Sequence, residues 1–485
     1  MVGLLATAAA CGDRARRPLS ADGISPDQAG AGGSIGAGPG NQDGQTSGSA
    51  GSDAGSGSGG ASGTGACADI FADDQLPTYE IQIAPVDWAA LVSDFQNMLA
   101  LRDTGVDYHP YHPVAEFRFG NEVVPSTMIR LKGWSSWWQS IPDPNPKMQF
   151  VVAFDLVDGK QRFHGLRKVE LDMPRIDRSY LRQRLALVYL RALGLPSQCA
   201  NNARLFINGS FYGLYTNLEH QDKEFTQRVF PEAPKADLWA AGNQLQTNTD
   251  NAGLPHPHLD ALWAATDPAS IAAIVDMDET LLEWASEAML ADPDGYWVGH
   301  YNYYLYDHPT RGWLWVPHDL DATIDWADPH IDPMYYWGDD ITSWSPPWQH
   351  YAAIIKDYDW RERYVAALRH ARDAYVAVQL PDKLDQFAAQ IHDAVAADPT
   401  RPFTLNDHLS EISYLRWAIT TRIDSVGAWL DCRAAPDGAV DADGDKRPFC
   451  MDCNDHDPAT YPGAPEICRD GRDQDCDGRD WTSCP

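Results

Sequence analysis

Residues Ser20 to Gly65 are almost wholly Gly, Ser, Ala, Asp and Thr, in runs such as GAGGSIGAGPG and SGSAGSDAGSGSGGASGTG. Side chains this small and polar bury too little apolar area to offset the entropy of ordering the backbone, so the stretch reads as a tether outside any core. The folded parts of this 485-residue chain must therefore come from the residues C-terminal to it. The material is ample: 18 Trp, 20 Tyr and a 44% hydrophobic share exclude disorder of the whole chain. No apolar run is long enough for a membrane-spanning helix.

The tether sits behind a short apolar opening, MVGLLATAAACGD. Small side chains before Cys11 suit a signal peptidase, and the segment is similar to a bacterial lipoprotein signal. That resemblance implies a signal over residues 1–11, lipidation of Cys11, and a tether over 12–66. The expected location is the bacterial cell envelope, periplasmic or surface-exposed, with the lipid as the only membrane contact and secretion as the alternative.

Charge narrows the partners. With 69 acidic against 37 basic residues the net charge is −32, which repels phosphate backbones, so nucleic acid is not expected as a partner. Cysteine usage points to an oxidising compartment: apart from Cys11, eight remain, an even number suited to disulfides. Cys67 with Cys199 is one pairing among several open ones. Cys450-x-x-Cys453 lacks a second half-site, so zinc is not expected.

The C-terminal 54 residues carry 13 acidic and 6 basic residues. Oxygen ligands at alternate positions of a tight loop can converge on one hard cation. Asp441, Asp443 and Asp445 have that spacing, with Asp452 at the twelfth position; Asp473, Asp475 and Asp477 repeat it before Gly478. DADGD, DCNDHDP, YPGAPEIC and DGRDQDCDG resemble the acidic, cysteine-bearing metal-binding repeats of bacterial surface proteins. Residues 432–485 are thus expected to form a small, loop-rich, disulfide-linked module that binds calcium.

Between tether and tail, residues 67–431 alternate strand and helix signals. TYEIQIAP, AEFRFG and STMIRLKG alternate apolar and polar positions, and KMQFVVAFDL reads as a central strand. In IDRSYLRQRLALVYLRALGLP, Leu181, Leu185, Val188 and Ala192 fall on one helical face, Asp177 or Ser179 can cap the start, and Gly194 with Pro196 ends it. Asn208-Gly209 predicts a two-residue hairpin turn. A second hairpin turns at about His308 to Gly312, with Asp294 before its first strand and Asp319 and Asp321 after its second. A base before a hairpin and metal ligands after it would meet at one end of a sheet, an arrangement phosphoryl transfer can use.

RLKGWSS (130–136), the Lys147 strand, DRSYLRQRLA (177–186), FINGSFYGLYTNLEHQDKEF (206–225) and NYYLYDHPTRGWLWVPHDLD (302–321) together resemble the spore-coat kinase (CotH) family of secreted or surface-attached atypical kinases. The resemblance implies an α+β fold with an atypical protein-kinase-like domain over roughly residues 75–430. It implies Asp294 as catalytic base, Asp319 as principal metal ligand with Asn302 and Asp321 in the metal shell, and Lys132 or Lys147 facing the nucleotide phosphates. The Glu219 region would line the nucleotide pocket. ATP with Mg2+ or Mn2+ would be the cofactor, and Ser or Thr hydroxyls of an extracellular or envelope protein the acceptor. The helix after the lysine strands offers Arg182 and Arg184 but no acid to pair with a lysine. The rival expectation is a catalytically silent surface-binding protein, with glycan held by the Trp-rich loops GWSSWWQ and YYWGDDITSWSPPWQHY; most of those aromatics are expected in packing instead.

Overall fold

The computed structural model describes residues 65–103, 109–133, 147–324, 328–341 and 347–480. Cys11, residues 12–64 of the tether and the Trp134, Trp137 and Trp138 loop lie outside that set. The fold is mixed α+β, followed by a cysteine-rich module with disulfides.

A nine-stranded sheet contains β1 (Thr78–Gln82), β2 (His112–Pro113), β3 (Glu116–Phe119), β4 (Glu122–Val124), β5 (Met128–Leu131), β6 (Phe150–Ala153), β7 (Lys168–Asp172), β8 (Ala200–Ile207) and β9 (Ser210–Glu219), in the order β2-β5-β6-β7-β9-β8-β1-β3-β4. Every pairing is antiparallel except β1 with β8. The β8–β9 turn forms as its sequence predicts: Asn208 (φ 49°) and Gly209 (φ 81°) both occupy the left-handed region that a two-residue hairpin requires. A core of Tyr79, Ile81, Phe117, Ile129, Phe150, Val152 and Leu205 fills one side of this sheet, closed by Leu91 and Phe95 of the helix Pro85–Asp103.

The helix Arg182–Ala192 starts just after the residues expected to cap it. Neither expected residue is the N-cap, which is Leu181, but Asp177 Oδ2 accepts the Arg182 N–H and Ser179 Oγ accepts the Leu181 N–H, so both brace the turn that leads into the helix. Gly194 at φ 77° ends the helix. The helix joins a second core with the helix Met277–Leu290, the C-terminal helices, and a four-stranded sheet ordered β11-β10-β12-β13. Those strands are β10 (Leu238–Ala240), β11 (Gln244–Leu245), β12 (Tyr303–His308) and β13 (Gly312–Pro317), the last two forming the expected hairpin. Tyr335, Tyr336, Trp337 and Tyr351 are buried in this core, so these aromatics pack rather than present a surface. Among the described residues no helix is long and apolar enough to cross a membrane.

Three disulfides join pairs of described residues: Cys67–Cys199, Cys432–Cys450 and Cys453–Cys476. Cys432–Cys450 ties a module with almost no regular structure to the end of the long helix Leu405–Ala434, and Cys453–Cys476 closes a loop within that module. That module also docks on the 337–356 region: Asp473 accepts from the Trp337 indole at 3.0 Å, Asn454 donates to Asp339 at 2.8 Å, and Lys356 pairs with Asp477 at 2.5 Å.

Candidate functional site

Strand alternation builds one wall of a cleft. Glu170 and Asp172, two residues apart on β7, project from the same face. Lys132, just past the end of β5, reaches both: its ammonium is 2.5 Å from Asp172 Oδ1 and 2.8 Å from Glu170 Oε2. Burial alone would depress this lysine, but Asp172 and Glu170 outweigh it and hold its proton well above the usual lysine range. The acid that the following helix lacks is therefore supplied by a neighbouring strand. KVELD has the pattern of an ordinary central strand, and its two acids escape sequence reasoning for that reason.

The opposite wall is the segment after β13. Asp319 (φ 52°) and Asn302 (φ 48°) both sit in the left-handed region. Asn302 Nδ2 donates to the Asp319 carbonyl at 3.2 Å, and the His318 N–H donates to the Asn302 carbonyl at 2.9 Å. Non-glycine residues held at positive φ cost free energy and cluster at functional sites. Asn302 Nδ2 thus braces the Asp319 backbone, a role that does not use Oδ1, the atom a metal would take. The turn Leu320–Ala322 packs on the helix Arg182–Ala192 and carries Asp321 into the same cleft.

The cleft encloses about 100 Å³ and is lined by Lys132, Asp172, Asp177, Gln183, Asp319 and Asp321 among others. Asp172 is satisfied by Lys132, and Asp177 by the Arg182 side chain and backbone. The carboxylates of Asp294, Asp319 and Asp321 accept no hydrogen bond and form no ion pair among the described residues. Burial and then Asp319, Asp177, Asp172 and Asp294 push the Asp321 carboxyl well above its ordinary range, and burial with Asp319 raises Asp294. Carboxylates that repel one another without an ion pair could hold a hard divalent ion, and Asp319 and Asp321 are the two placed on the cleft wall. They form no cluster as tight as a closed protein cage, so an ion held there would need further oxygens to complete its shell. The buried Gln183 Nε2 lacks a partner and lies on the cleft wall, a donor placed for a phosphate oxygen.

Two expected residues are elsewhere. Lys147 does not face the cleft: its ammonium lies 2.6 Å from Asp398 Oδ2 and 3.1 Å from Thr400 Oγ1, with both side chains of the ion pair fully buried. Burial pushes it down to about 8 against the pull of Asp398. Glu219 also points away, since its carboxylate takes the Arg228 guanidinium and the Cys199 N–H. From that strand it is Thr216 that lines the cleft. Arg182 pairs with Asp177 and Glu411, whereas Arg184 bonds Asn202, Gln390 and the Asp73 carbonyl and stacks on Phe387.

In the tail, Asp443, Asp445 and Asp452 bring three carboxylate oxygens within 4.8 Å of one another, and Asp441, Asp443 and Asp455 do the same, sharing Asp443. Oδ2 atoms of Asp443, Asp445 and Asp452 are buried without partners, and Asp452 is only 3% exposed. The second group is Glu466, Asp473 and Asp475. Asp477 is not part of it, because its side chain is held by Lys356. Asp455 and Glu466 lie in the DCNDHDP and YPGAPEIC blocks but outside the D-x-D-x-D runs, and the loop folds back to bring them in. Glu466→Ala is accordingly expected to remove one ion from the full chain, whereas Asp477→Ala leaves the number of bound ions unchanged, as counted by elemental analysis after calcium equilibration.

The model of the CotH kinase protein family matches residues 129–426, and a family described as "Putative metal-binding motif" matches residues 452–480. Invasin CotH3 and invasin CotH2 of Rhizopus delemar are each 29% identical to the chain, over 198 and 199 residues. Those matches cover 34% of this chain and 32% of each relative, so the chain matches about a third of the length of these curated relatives. With the family match spanning more than half of the sequence and including every residue that lines the cleft, the chain belongs to the CotH kinase protein family.

Proposed function

We propose that the chain is a metal-dependent kinase of the cell envelope or surface that transfers the γ-phosphoryl group of ATP to Ser or Thr hydroxyls of extracellular proteins. The observation that carries the reading is the convergence of Lys132, Asp319 and Asp321 on one cleft, with Asp294 near enough for its charge to act on Asp319 and Asp321. ATP with Mg2+ or Mn2+ supplies the phosphoryl group and its counter-charge. Asp319 and Asp321 would hold the ion, and Lys132 with Gln183 would donate to phosphate oxygens. Asp294 would take the acceptor proton as the new oxygen–phosphorus bond forms, the bond to the bridging oxygen breaks, and ADP leaves. The tail would bind calcium through its two oxygen-lined groups. Disulfides fit an oxidising compartment, and a lipid anchor at Cys11 would tether the chain there.

Calorimetric titration of the full chain with ATP tests the cleft. Binding is expected to require Mg2+ or Mn2+, and Lys132→Ala to weaken it by about tenfold or more, the loss of one charge-assisted contact. Affinity indifferent to chelation and to Lys132→Ala would overturn the reading. The names of the relatives favour a second reading, a silent kinase-like domain used for adhesion.

A further inference from the structure

The helix Met277–Leu290 carries two glutamates one turn apart, Glu283 and Glu287, that phosphoryl transfer does not use. Their exposures are 0% and 1%, and Asp292, just past the helix, is at 0%. Buried carboxylates are ordinarily met by a lysine or arginine. Here none of the three forms an ion pair among the described residues. The nearby cations are engaged elsewhere: Arg311 pairs with Glu279 and Asp276, and Arg422 donates to the carbonyls of Ala288, Pro329 and Ile331. The other titratable groups facing them are Asp294 and the phenols of Tyr296, Tyr336 and Tyr364, with His350 bonded to the Tyr296 hydroxyl.

Glu287 has a defined task. Its Oε1 accepts the Tyr296 N–H at 3.1 Å and its Oε2 the Trp297 N–H at 2.6 Å. Those amides belong to the turn just after Asp294, whose own N–H donates to Asp292 Oδ1 at 3.0 Å. The approach is so close that a Cβ on Gly295 would lie 2.6 Å from the Glu287 carboxyl carbon. Both Glu283 carboxyl oxygens are buried without a donor among the described residues, and the group that acts on them most strongly is the Glu287 carboxyl one turn on. Two ionised carboxyls in contact in a dry interior repel, whereas one proton between them makes a hydrogen bond. Among the described residues this pair belongs to no group of three or more ligand residues close enough together to share an ion.

We propose that Glu283 and Glu287 share one proton and together clamp the Gly295–Trp297 turn, which makes them positioning residues for Asp294. Burial raises both carboxyls above their ordinary range. For an acid raised on folding, the protonated, clamped form is complete at low pH and is lost as pH rises through the folded-state value. The clamp's effect on rate rests on the phosphoryl-transfer reading; the clamp itself does not.

Hydrogen exchange followed by mass spectrometry on the full chain, reading the 292–299 peptide, tests it. Variants are compared at equal pH, at neutrality and in alkali. Glu287→Gln, which offers one acceptor for two amides, is expected to speed exchange about tenfold or more at both. Glu283→Gln keeps a permanent donor, so it should match wild type at neutrality and retain protection in alkali where wild type loses it. In the kinase assay, Glu287→Gln lowers kcat about tenfold without raising KM for ATP, and Glu283→Gln extends the alkaline limb. Exchange unchanged in Glu287→Gln, or equal alkaline loss in wild type and Glu283→Gln, overturns the clamp. Altered exchange in a wild type that transfers no phosphate leaves the clamp standing and removes the kinase reading instead.

Discussion

Asp294→Asn is expected to lower phosphoryl transfer by about 100- to 10,000-fold, the range a positioned general base contributes, while leaving the affinity for metal and ATP unchanged. Asparagine keeps the size of the side chain and the Asp294 N–H bond to Asp292, so the loop geometry survives. What is lost is the ability to accept a proton. The wild-type carboxyl is raised by burial and by Asp319, which makes it a better proton acceptor than an exposed aspartate and lifts the acid limb of the rate profile above the ordinary carboxylate range. Steady-state kinetics across pH, with ATP affinity measured separately, checks this. A variant that loses ATP affinity in step with rate would place Asp294 among the binding groups instead.

The second large effect concerns the lysine that proved to be structural. Lys147→Ala is expected to destabilise the fold by about 3–5 kcal/mol, the cost of breaking a buried pair and leaving one charge uncompensated. Asp398 is the group stranded. It also accepts from the Tyr180 hydroxyl at 3.1 Å and the Leu214 and Thr400 amides at 2.9 Å, so it cannot turn towards solvent. Lys147 further lies 4.5 Å from the centre of the Tyr215 ring, and space around Gly213 is filled by its ammonium. Denaturant unfolding reads the loss, and calorimetry on the folded fraction should show ATP affinity unaltered. Lys132→Ala should instead lower ATP affinity, and because it leaves the buried Glu170 and Asp172 without their cation it should cost stability as well.

These contrasts show which kind of information the residue order carried. Features set by neighbours in sequence were legible: the Asn208-Gly209 turn, the helix ending at Gly194, and the hairpin that delivers Asp319 and Asp321. The metal-side residues were legible for the same reason, because Asp319, Asp321 and Asn302 flank that hairpin. Partners supplied across the fold were not. Lys147 meets an aspartate 251 residues away, and nothing near either residue announces the other. Glu219 is drawn off by Arg228 on the next helix. Glu170 and Asp172 were hidden in a strand where alternation explained every position without chemistry. In the tail, the D-x-D-x-D phasing located Asp441, Asp443, Asp445, Asp473 and Asp475, but the folding back of the loop decides that Glu466 joins and Asp477 leaves.

The module's docking links its metal content to the rest of the chain. Asp473 bonds the buried Trp337 indole while offering its carboxylate to the Glu466 and Asp475 group. Chelating divalent ions should therefore loosen the module first, since so small a segment has little core beyond its cystines. Limited proteolysis should cut after residue 436 at much lower protease concentration once calcium is withdrawn.

Transfer of label from γ-labelled ATP to protein by the purified full chain, with Mg2+ or Mn2+, is the most direct measurement of the central claim. Wild type should incorporate label well above background, and Asp319→Ala should fall to background while unfolding at the same denaturant concentration. Equal, background incorporation by both would contradict catalysis at this cleft.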